Sequence, residues 1–428
     1  IVVAFFVLSR KEKLPKSQNN RLNTGTIDDK NIKIVHVTDI HYLSPSLTDY
    51  GKSFVDTIEK SDGKMMRYID QIMDAFVLEM IRTKPDLVIV SGDMTYNGEK
   101  ESHIGLANKF KILKDKGIKV LVLPGNHDLE NEMALAFEGD ATRPVETVTI
   151  EEFEEIYKDY GYGKDDPDVV SRDKKSLNYV SQLGNKCHLI MVETSTKGND
   201  QTISNSSYRW IEKWLRKAKD MNMRVIGVSH QNILAHNKLF IAGYKITNSS
   251  RLVDLYNKYN VRINLSGHMH IQHMAEHKRV HDIALACLGL YPNLYGVLDM
   301  DLRNNMTYHT ESLDVAYWMK KYKHQDSDLL DFENTSREYF VRCTRLQTEK
   351  QVAKLDLSKE DKEMMMDFMV DTNIHYFSGS LDKRPDLSLD NPAYKLWMDH
   401  CERTFTGSYL NSIYTDTISD HNRLEIFQ

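Results

Sequence analysis

Between Ile32 and Glu311 short apolar runs alternate with amphipathic segments, and five of the runs end in a cluster of Asp, Asn and His. This alternation restricts the fold more than any other feature. Strands separated by helices pair in parallel, with the helices packed on the faces of the sheet. IKIVHVTD, DLVIVSGD, IKVLVLPGNHD, MRVIGVSH and VRINLSGHMH read as buried strands. GKMMRYIDQIMDAFVLEMIRT has apolar residues at three- and four-residue spacing and reads as a helix. Further helices are predicted near Ser102–Lys116 and Ile150–Tyr160, and over SYRWIEKWLRKAKDM and SRLVDLYNKYN. LNYVSQL and KCHLIMVETS flank Gly184-Asn185 and read as a hairpin. IALACLGL and YGVLDMDL are further strand candidates, and these late strands suggest antiparallel additions.

After Glu311 the strand signal fades. Helices are expected over Leu313–Lys323, Ser336–Leu355, Lys359–Tyr376 and Ala393–Phe405. The chain therefore divides into 1–31, 32–312 and 313–428, the second an α/β domain and the third all-α. The 428 residues are too many for one ordinary domain. The first segment begins IVVAFFVLSRKEK, and eight apolar residues fall short of the about 20 that span a bilayer. It reads as the remnant of a membrane anchor, or of the apolar region of a signal peptide, followed by a polar tether, which would place the α/β domain, anchored or secreted, outside the cell. A buried N-terminal strand is the alternative. The net charge of −6 gives no general attraction to nucleic acid. Four widely spaced cysteines make no zinc or disulfide framework; Cys187 and Cys287 read as buried apolar residues.

The polar clusters are TDIH (Asp39, His41), SGDMTYNG (Asp93), PGNHD (Asn126, His127, Asp128), VSHQN (His230) and SGHMH (His268, His270). Loops at the carboxyl ends of strands in an open α/β sheet converge on one crevice, so residues distant in sequence can meet. Carboxylate, imidazole and amide oxygen form a mixed donor set for Mn, Fe, Zn, Co or Ni. No thiolate takes part, which disfavours a structural zinc cage. The donors are too many for one ion, and Asp93 could bridge two.

The ordered set D-x-H, G-D, G-N-H-D, H, G-H-x-H resembles the calcineurin-like metallophosphoesterases, most closely their class III cyclic-nucleotide phosphodiesterase branch. The resemblance covers about Ile32 to Glu311 and implies layered sheets flanked by helices. By position it implies that Asp39, His41 and His270 hold one metal, that Asn126, His230 and His268 hold another, and that Asp93 bridges. It implies two divalent or mixed-valence ions (Mn, Fe or Zn) and hydrolysis of phosphoesters by a metal-bridged hydroxide. His127 would assist the leaving group, Asn126 and His127 would meet the substrate, and Asp128 would orient its loop. Cyclic nucleotides are the implied substrate class. Alternatives are a broad phosphomonoesterase or nucleotidase, a cell-envelope phosphodiesterase, and a non-catalytic anchored binding protein.

Protein phosphatases of this family read G-D-x-x-D-R-G, and this chain has Tyr96-Asn97 in place of Asp-Arg. Tyr96 occupies the position of the iron-binding tyrosine of purple acid phosphatases, but His41 already supplies a ligand that those enzymes lack, so packing is the expected role of Tyr96. His36 and His188 alternate within strands and read as structural. His273, His277 and His281 read as surface residues or as neighbours of the ligands. His103 suits helix-start packing at least as well as the site. The long segment Gln231–Asn248, which contains His236, is a candidate substrate-contacting loop. MMMDFM at 364–369 reads as bundle core, with an adhesive groove as the alternative.

Overall fold

Three apolar runs form the centre of the first sheet: β1 (Ile32–Val37), β2 (Leu87–Ser91) and β3 (Lys119–Leu123). They pair in parallel, with Ile34 opposite Leu87 and Leu87 opposite Lys119. Almost all their side chains are buried, as a sheet covered on both faces requires. β13 (Leu294–Met300) runs antiparallel to β1, followed outward by β14 (Met306–Ser312) and β15 (Arg423–Ile426), giving the order β15-β14-β13-β1-β2-β3. This computed structural model describes residues 31–60, 63–196 and 201–427. The anchor remnant and tether expected over 1–31 lie outside these apart from Asn31. Among the described residues no helix is long and apolar enough to cross a membrane.

The second sheet has the order β11-β12-β10-β9-β8-β7-β6. Its strands are β6 (Val169–Arg172), β7 (Tyr179–Leu183), β8 (Cys187–Val192), β9 (Arg224–Ser229), β10 (Ile263–Ser266), β11 (His273–His277) and β12 (Val280–Ala284). β8, β9, β10 and β12 are parallel, and the predicted β7–β8 hairpin closes with Leu183 opposite Cys187. One continuous apolar core contains Val37, Ile89 and Val122 of the first sheet and Met191, Val228 and Leu265 of the second. α2 (Ile69–Thr83) and α3 (Lys100–Asp115) contribute Ile72, Phe76, Leu106 and Phe110 to the same core. The buried residues Ile69, Ile72, Met73, Phe76, Val77 and Met80 make one helical stripe, the reason this segment folds as α2. A second core joins the outer face of the second sheet to α5 (Asn205–Asp220) and α6 (Ser250–Lys258) through Ile190, Ile211, Leu215 and Leu252. The layers are thus helix, sheet, sheet, helix. A one-turn α1 (Lys52–Phe54) packs on the hairpin β4 (Leu135–Glu138) and β5 (Ala141–Pro144), and α4 (Ile150–Ile156) packs against α3.

The C-terminal part is helical, with α7 (Val315–Tyr322), α8 (Ser327–Leu330), α9 (Phe332–Val352), α10 (Lys359–Phe377), α11 (Pro392–Cys401) and α12 (Phe405–Tyr414). It shares apolar interior with the α/β domain at two places. Val315, Trp318 and Met319 of α7 join the main core, and Met365, Trp397 and Leu410 pack in one cluster with Met269 and Ile271. Three local expectations change. IALACLGL is strand only to Ala284, because Leu285–Leu290 turns away as a buried loop in which the Leu290 N–H bonds Cys287. α12 was not expected, and β15 carries the chain back to the edge of the first sheet. All four cysteines are buried free thiols.

Trp397 is fully buried at the centre of the helical unit, and its indole N–H donates to the Met365 carbonyl at 3.0 Å. Trp397→Ala is expected to lower stability by about 3–5 kcal/mol, measured by denaturant unfolding.

Candidate metal centre

Each polar cluster begins one to three residues past the end of a parallel strand: Asp39 after β1, Asp93 after β2, Asn126 after β3, His230 after β9 and His268 after β10. The chain must turn abruptly there to aim these side chains into one crevice. Asp39, His41, Asp93, His268 and His270 adopt the left-handed conformation, with φ of 50°, 49°, 46°, 69° and 57°. Such backbone is uncommon for residues other than glycine, and its concentration in five of the seven predicted ligands marks a site that the surrounding fold holds in place. The preceding glycines permit the close approach. A Cβ on Gly125 would lie 2.3 Å from Asp93 Oδ1, and one on Gly267 would lie 2.4 Å from Asp39 Oδ2.

All seven predicted ligands meet in this crevice. In one group, His41 Nε2 lies 3.0 Å from His270 Nε2 and 3.9 Å from both Asp39 Oδ1 and Asp93 Oδ2. His270 Nε2 is 3.2 Å from Asp39 Oδ1. In the other, His230 Nε2 lies 3.3 Å from Asp93 Oδ2, 3.1 Å from Asn126 Oδ1 and 3.2 Å from His268 Nδ1. Ligand atoms of Asp39, His41, Asp93 and His270 all fall within 4.8 Å of one another, as do those of Asp93, His230 and His268. Asp93 belongs to both groups.

In His230 and His268 the outer ring nitrogen is tied to a carbonyl, which turns the inner one toward the other ligand atoms. His230 Nδ1–H donates to the Ser91 carbonyl at 2.9 Å, and His268 Nε2–H to the Gly243 carbonyl at 3.0 Å. Packing acceptor atoms this closely is unfavourable unless positive charge sits among them. Asp39 Oδ1 is buried without a hydrogen-bond partner. Burial works to raise the Asp93 carboxyl, but the His230 ring overrides it and holds Asp93 well below the ordinary carboxylate value. Burial works to lower His230, and Asp93 reverses this, pushing the imidazole up to about 9. Burial, reinforced by Lys64, keeps His41 well below the ordinary imidazole value, so it presents a neutral donor. The donor set is mixed N/O and buried, and its carboxylates already draw a proton onto His230. It fits divalent metal.

His127 stands at the edge of this group, its side chain 35% exposed and its Nε2 3.9 Å from Asp93 Oδ2. Its Nδ1 lies 2.8 Å from both the Tyr96 carbonyl and Asn97 Oδ1, which fixes Nδ1 as the donor and turns Nε2 toward the crevice. Asn97 was missed in the sequence. The only signal was its place in the Asp93 loop, where it helps support His127 without the carboxylate of protein phosphatases. Asp128 accepts from Gly125 N, Met94 N and Thr95 N at 2.8, 3.1 and 2.9 Å, fastening the Asn126 loop to the Asp93 loop.

The other candidates fall outside the ligand groups. The Tyr96 ring packs against Phe137. His36 bonds Ser91 Oγ at 2.7 Å, and His188 packs against Trp214. His103 is buried beneath the Asp93 loop, bonding the Asp128 carbonyl at 2.8 Å and the Tyr157 hydroxyl at 2.9 Å. His273 is not on the surface: it is buried, 3.0 Å from His236 between their Nδ1 atoms, and stacked on His421.

The family model of calcineurin-like phosphoesterases matches residues 32–272, and that of the C-terminal domain of cyclic nucleotide phosphodiesterase matches residues 314–420. The chain belongs to the calcineurin-like phosphoesterase family and is a metal-dependent phosphoric ester hydrolase. It is 24% identical over 302 residues to a "probable glycerophosphodiester phosphodiesterase" of Arcobacter nitrofigilis, covering 67% of this chain and 89% of that protein. It is 23% identical over 255 residues to a "probable cyclic nucleotide phosphodiesterase" of Xenorhabdus bovienii, covering 58% of this chain and 83% of that protein. The crystal structure of a dimetal phosphatase from Danio rerio superposes with a TM-score of 0.48 at 11% identity, over 66% of this chain and 96% of that one.

Two outcomes are expected. Gly267→Ala drives a methyl group into Asp39 and should remove most bound metal, read by elemental analysis, while the circular dichroism spectrum stays unchanged. Burial depresses His103 from 6.5 to about 4. Between these values the unfolded chain binds a proton that the native state refuses. Stability should therefore fall as pH drops from 6.5 toward 4, by at most roughly 1.4 kcal/mol per unit for this group. His103→Gln should flatten that part of the melting-temperature profile.

Proposed function

We propose that the chain hydrolyses phosphodiesters at a two-metal centre shared through Asp93, with cyclic nucleotides as a substrate class. The observation that carries this reading is the shared carboxylate: Asp93 Oδ2 lies 3.9 Å from His41, 3.3 Å from His230 and 3.9 Å from His127. Asp39, His41 and His270 would hold one ion and Asn126, His230 and His268 the other. When bound, such a pair supplies charge for the phosphoryl oxygens and lowers the pKa of water from about 15.7 to about 7.

The chain's own residues do the rest. Asn126 and His127 border the space where a phosphoryl group would sit, and Asp93 Oδ1 accepts from the His127 backbone N–H at 2.9 Å, linking the two. With Nδ1–H bound to Tyr96 and Asn97, His127 in its doubly protonated form carries a second proton on Nε2, which it would give to the departing alkoxide, leaving the neutral ring. The reading of the substrate rests on the C-terminal match and on the names of the two relatives, which are both diesterases. Placement outside the cell on an N-terminal anchor is proposed from the sequence alone.

The test is a panel of 3′,5′-cyclic AMP, glycerophosphodiesters and phosphomonoesters with Mn or Fe supplied. Diesters, cyclic AMP among them, should turn over faster than monoesters. Asp93→Ala should abolish turnover, and His127→Ala should lower kcat by roughly 10²–10⁴ with metal retained. Full metal loading with no hydrolysis of any phosphoester would refute the reading.

A further inference from the structure

Beside the metal centre lies a cavity of about 270 Å3, enclosed by the loop after His230, the His268–Ile271 turn and helices α9, α10 and α12. The Tyr244 ring packs on the His268 ring at 5.3 Å between centroids, and the neighbouring Gly243 carbonyl binds His268 Nε2. Tyr244 lines the cavity, as does Met269, which lies between two ligands in sequence. The organic group of an ester whose phosphate sat at the centre would have this cavity within one side-chain layer.

The lining is largely apolar once its own hydrogen bonds are counted. Phe240, Tyr244, Met269, Ile271, Met369 and Phe377 supply carbon and sulfur surface. The polar groups beside them are engaged with one another or with neighbours. The Tyr409 hydroxyl donates to Asn373 Oδ1 at 2.9 Å, Thr348 Oγ1 to the Thr344 carbonyl at 2.7 Å, and Thr406 Oγ1 to Gln351 Oε1. The Tyr376 hydroxyl accepts from Asn237 Nδ2 at 2.9 Å. Gln347 and Gln351 stand at the exposed edge. No charged side chain is among the described residues that line the cavity, so an ionic group would lose water there without gaining a counter-charge.

The wall also separates a flexible chain from a flat ring. Phe240 meets Tyr244, Tyr409 and Phe405 at 55°, 59° and 60° between ring planes, and Tyr376 meets Tyr409 at 79°. These rings present edges and tilted faces, not two parallel faces between which a base would stack. Met269 and Met369, whose unbranched side chains adapt to irregular partners, complete the lining. The apolar surface continues outward. Phe405 at the rim is 67% exposed, and Leu239 and Ile241, on either side of Phe240 in sequence, are 37% and 45% exposed. Apolar side chains gathered in water at the mouth of a cavity mark a surface that an apolar ligand covers.

We infer that this cavity is a subsite for a single alkyl chain, and that phosphodiesters carrying one such chain, the chemistry of a lysophospholipid, are a further substrate class. The inference rests on the reading of the centre as a phosphodiesterase site. Phe240 and Phe405 hold the chain, and Tyr244 is the wall shared by chain and metal centre. The volume lies just below the ~300–1,000 Å3 of whole small-molecule pockets, which suits one chain beside the phosphate position and not a two-chain lipid.

The test measures binding of methyl, butyl and octyl phosphate to the manganese-loaded full chain by calorimetry, with octyl phosphate kept below its micelle concentration. Affinity should rise with chain length, octyl phosphate binding at least tenfold more tightly than methyl phosphate. Phe240→Ser and Phe405→Ser should each erase most of that preference, while methyl phosphate binding and the melting temperature stay the same. Phe405 is mostly in solvent, so its variant keeps the test valid if the loop variant misfolds. In turnover, octyl 4-nitrophenyl phosphate should show a KM at least tenfold below that of methyl 4-nitrophenyl phosphate at a similar kcat. Equal binding of the three alkyl phosphates would overturn the inference, as would a chain-length preference that survives both variants. Failure of the underlying reading shows separately, because alkyl phosphates report on the cavity without being cleaved, whereas that reading fails if neither nitrophenyl diester is hydrolysed.

Discussion

Asp93 is the carboxylate on which the site depends. Oδ1 fixes the His127 backbone, and Oδ2 stands within reach of His41, His127 and His230. A buried anion so placed demands positive charge, and it draws a proton onto His230 when nothing stronger is available. A divalent ion meets the same demand and satisfies the other lone pairs too. The two sheets position Asp93 by ending β2 beside the ends of β1, β3, β9 and β10. The left-handed turns at those ends rest on strands whose interior burial holds them.

Backbone strain and tight packing support one another here. Left-handed Asp and His residues have short polar side chains that tolerate the conformation better than branched ones. The glycines beside them let the neighbouring loops come within contact distance. Asp128 then fastens two of the loops, and buried His103 braces its carbonyl from below. The helical unit enters the same arrangement through Met269 and Tyr244, so it packs directly on residues beside the ligands.

Much of this was legible in the sequence because each ligand follows an apolar strand at a fixed short distance. The α/β alternation marks the central strands, and the clusters after them contain the seven residues that converge. What stayed hidden depends on tertiary neighbours. Asn97, Tyr96 and Gly243 act on the site partly through backbone carbonyls, which leave no residue signature. His273 looked like a surface residue because it follows the last motif in a polar stretch, yet β11 buries it against His236 and His421. β15 is short and charged, Arg423-Leu424-Glu425-Ile426, and becomes strand only through pairing with β14. IALACLGL shows the reverse error, since a short apolar run suits a buried loop as well as a strand.

On the proposed reading one carboxylate, Asp93, organises two metal positions. Anomalous diffraction from crystals of the full chain grown with manganese tests it most directly. Two peaks flanking Asp93 are expected, one among Asp39, His41 and His270 and the other among Asn126, His230 and His268. A single peak, or manganese bound away from Asp93, would contradict it.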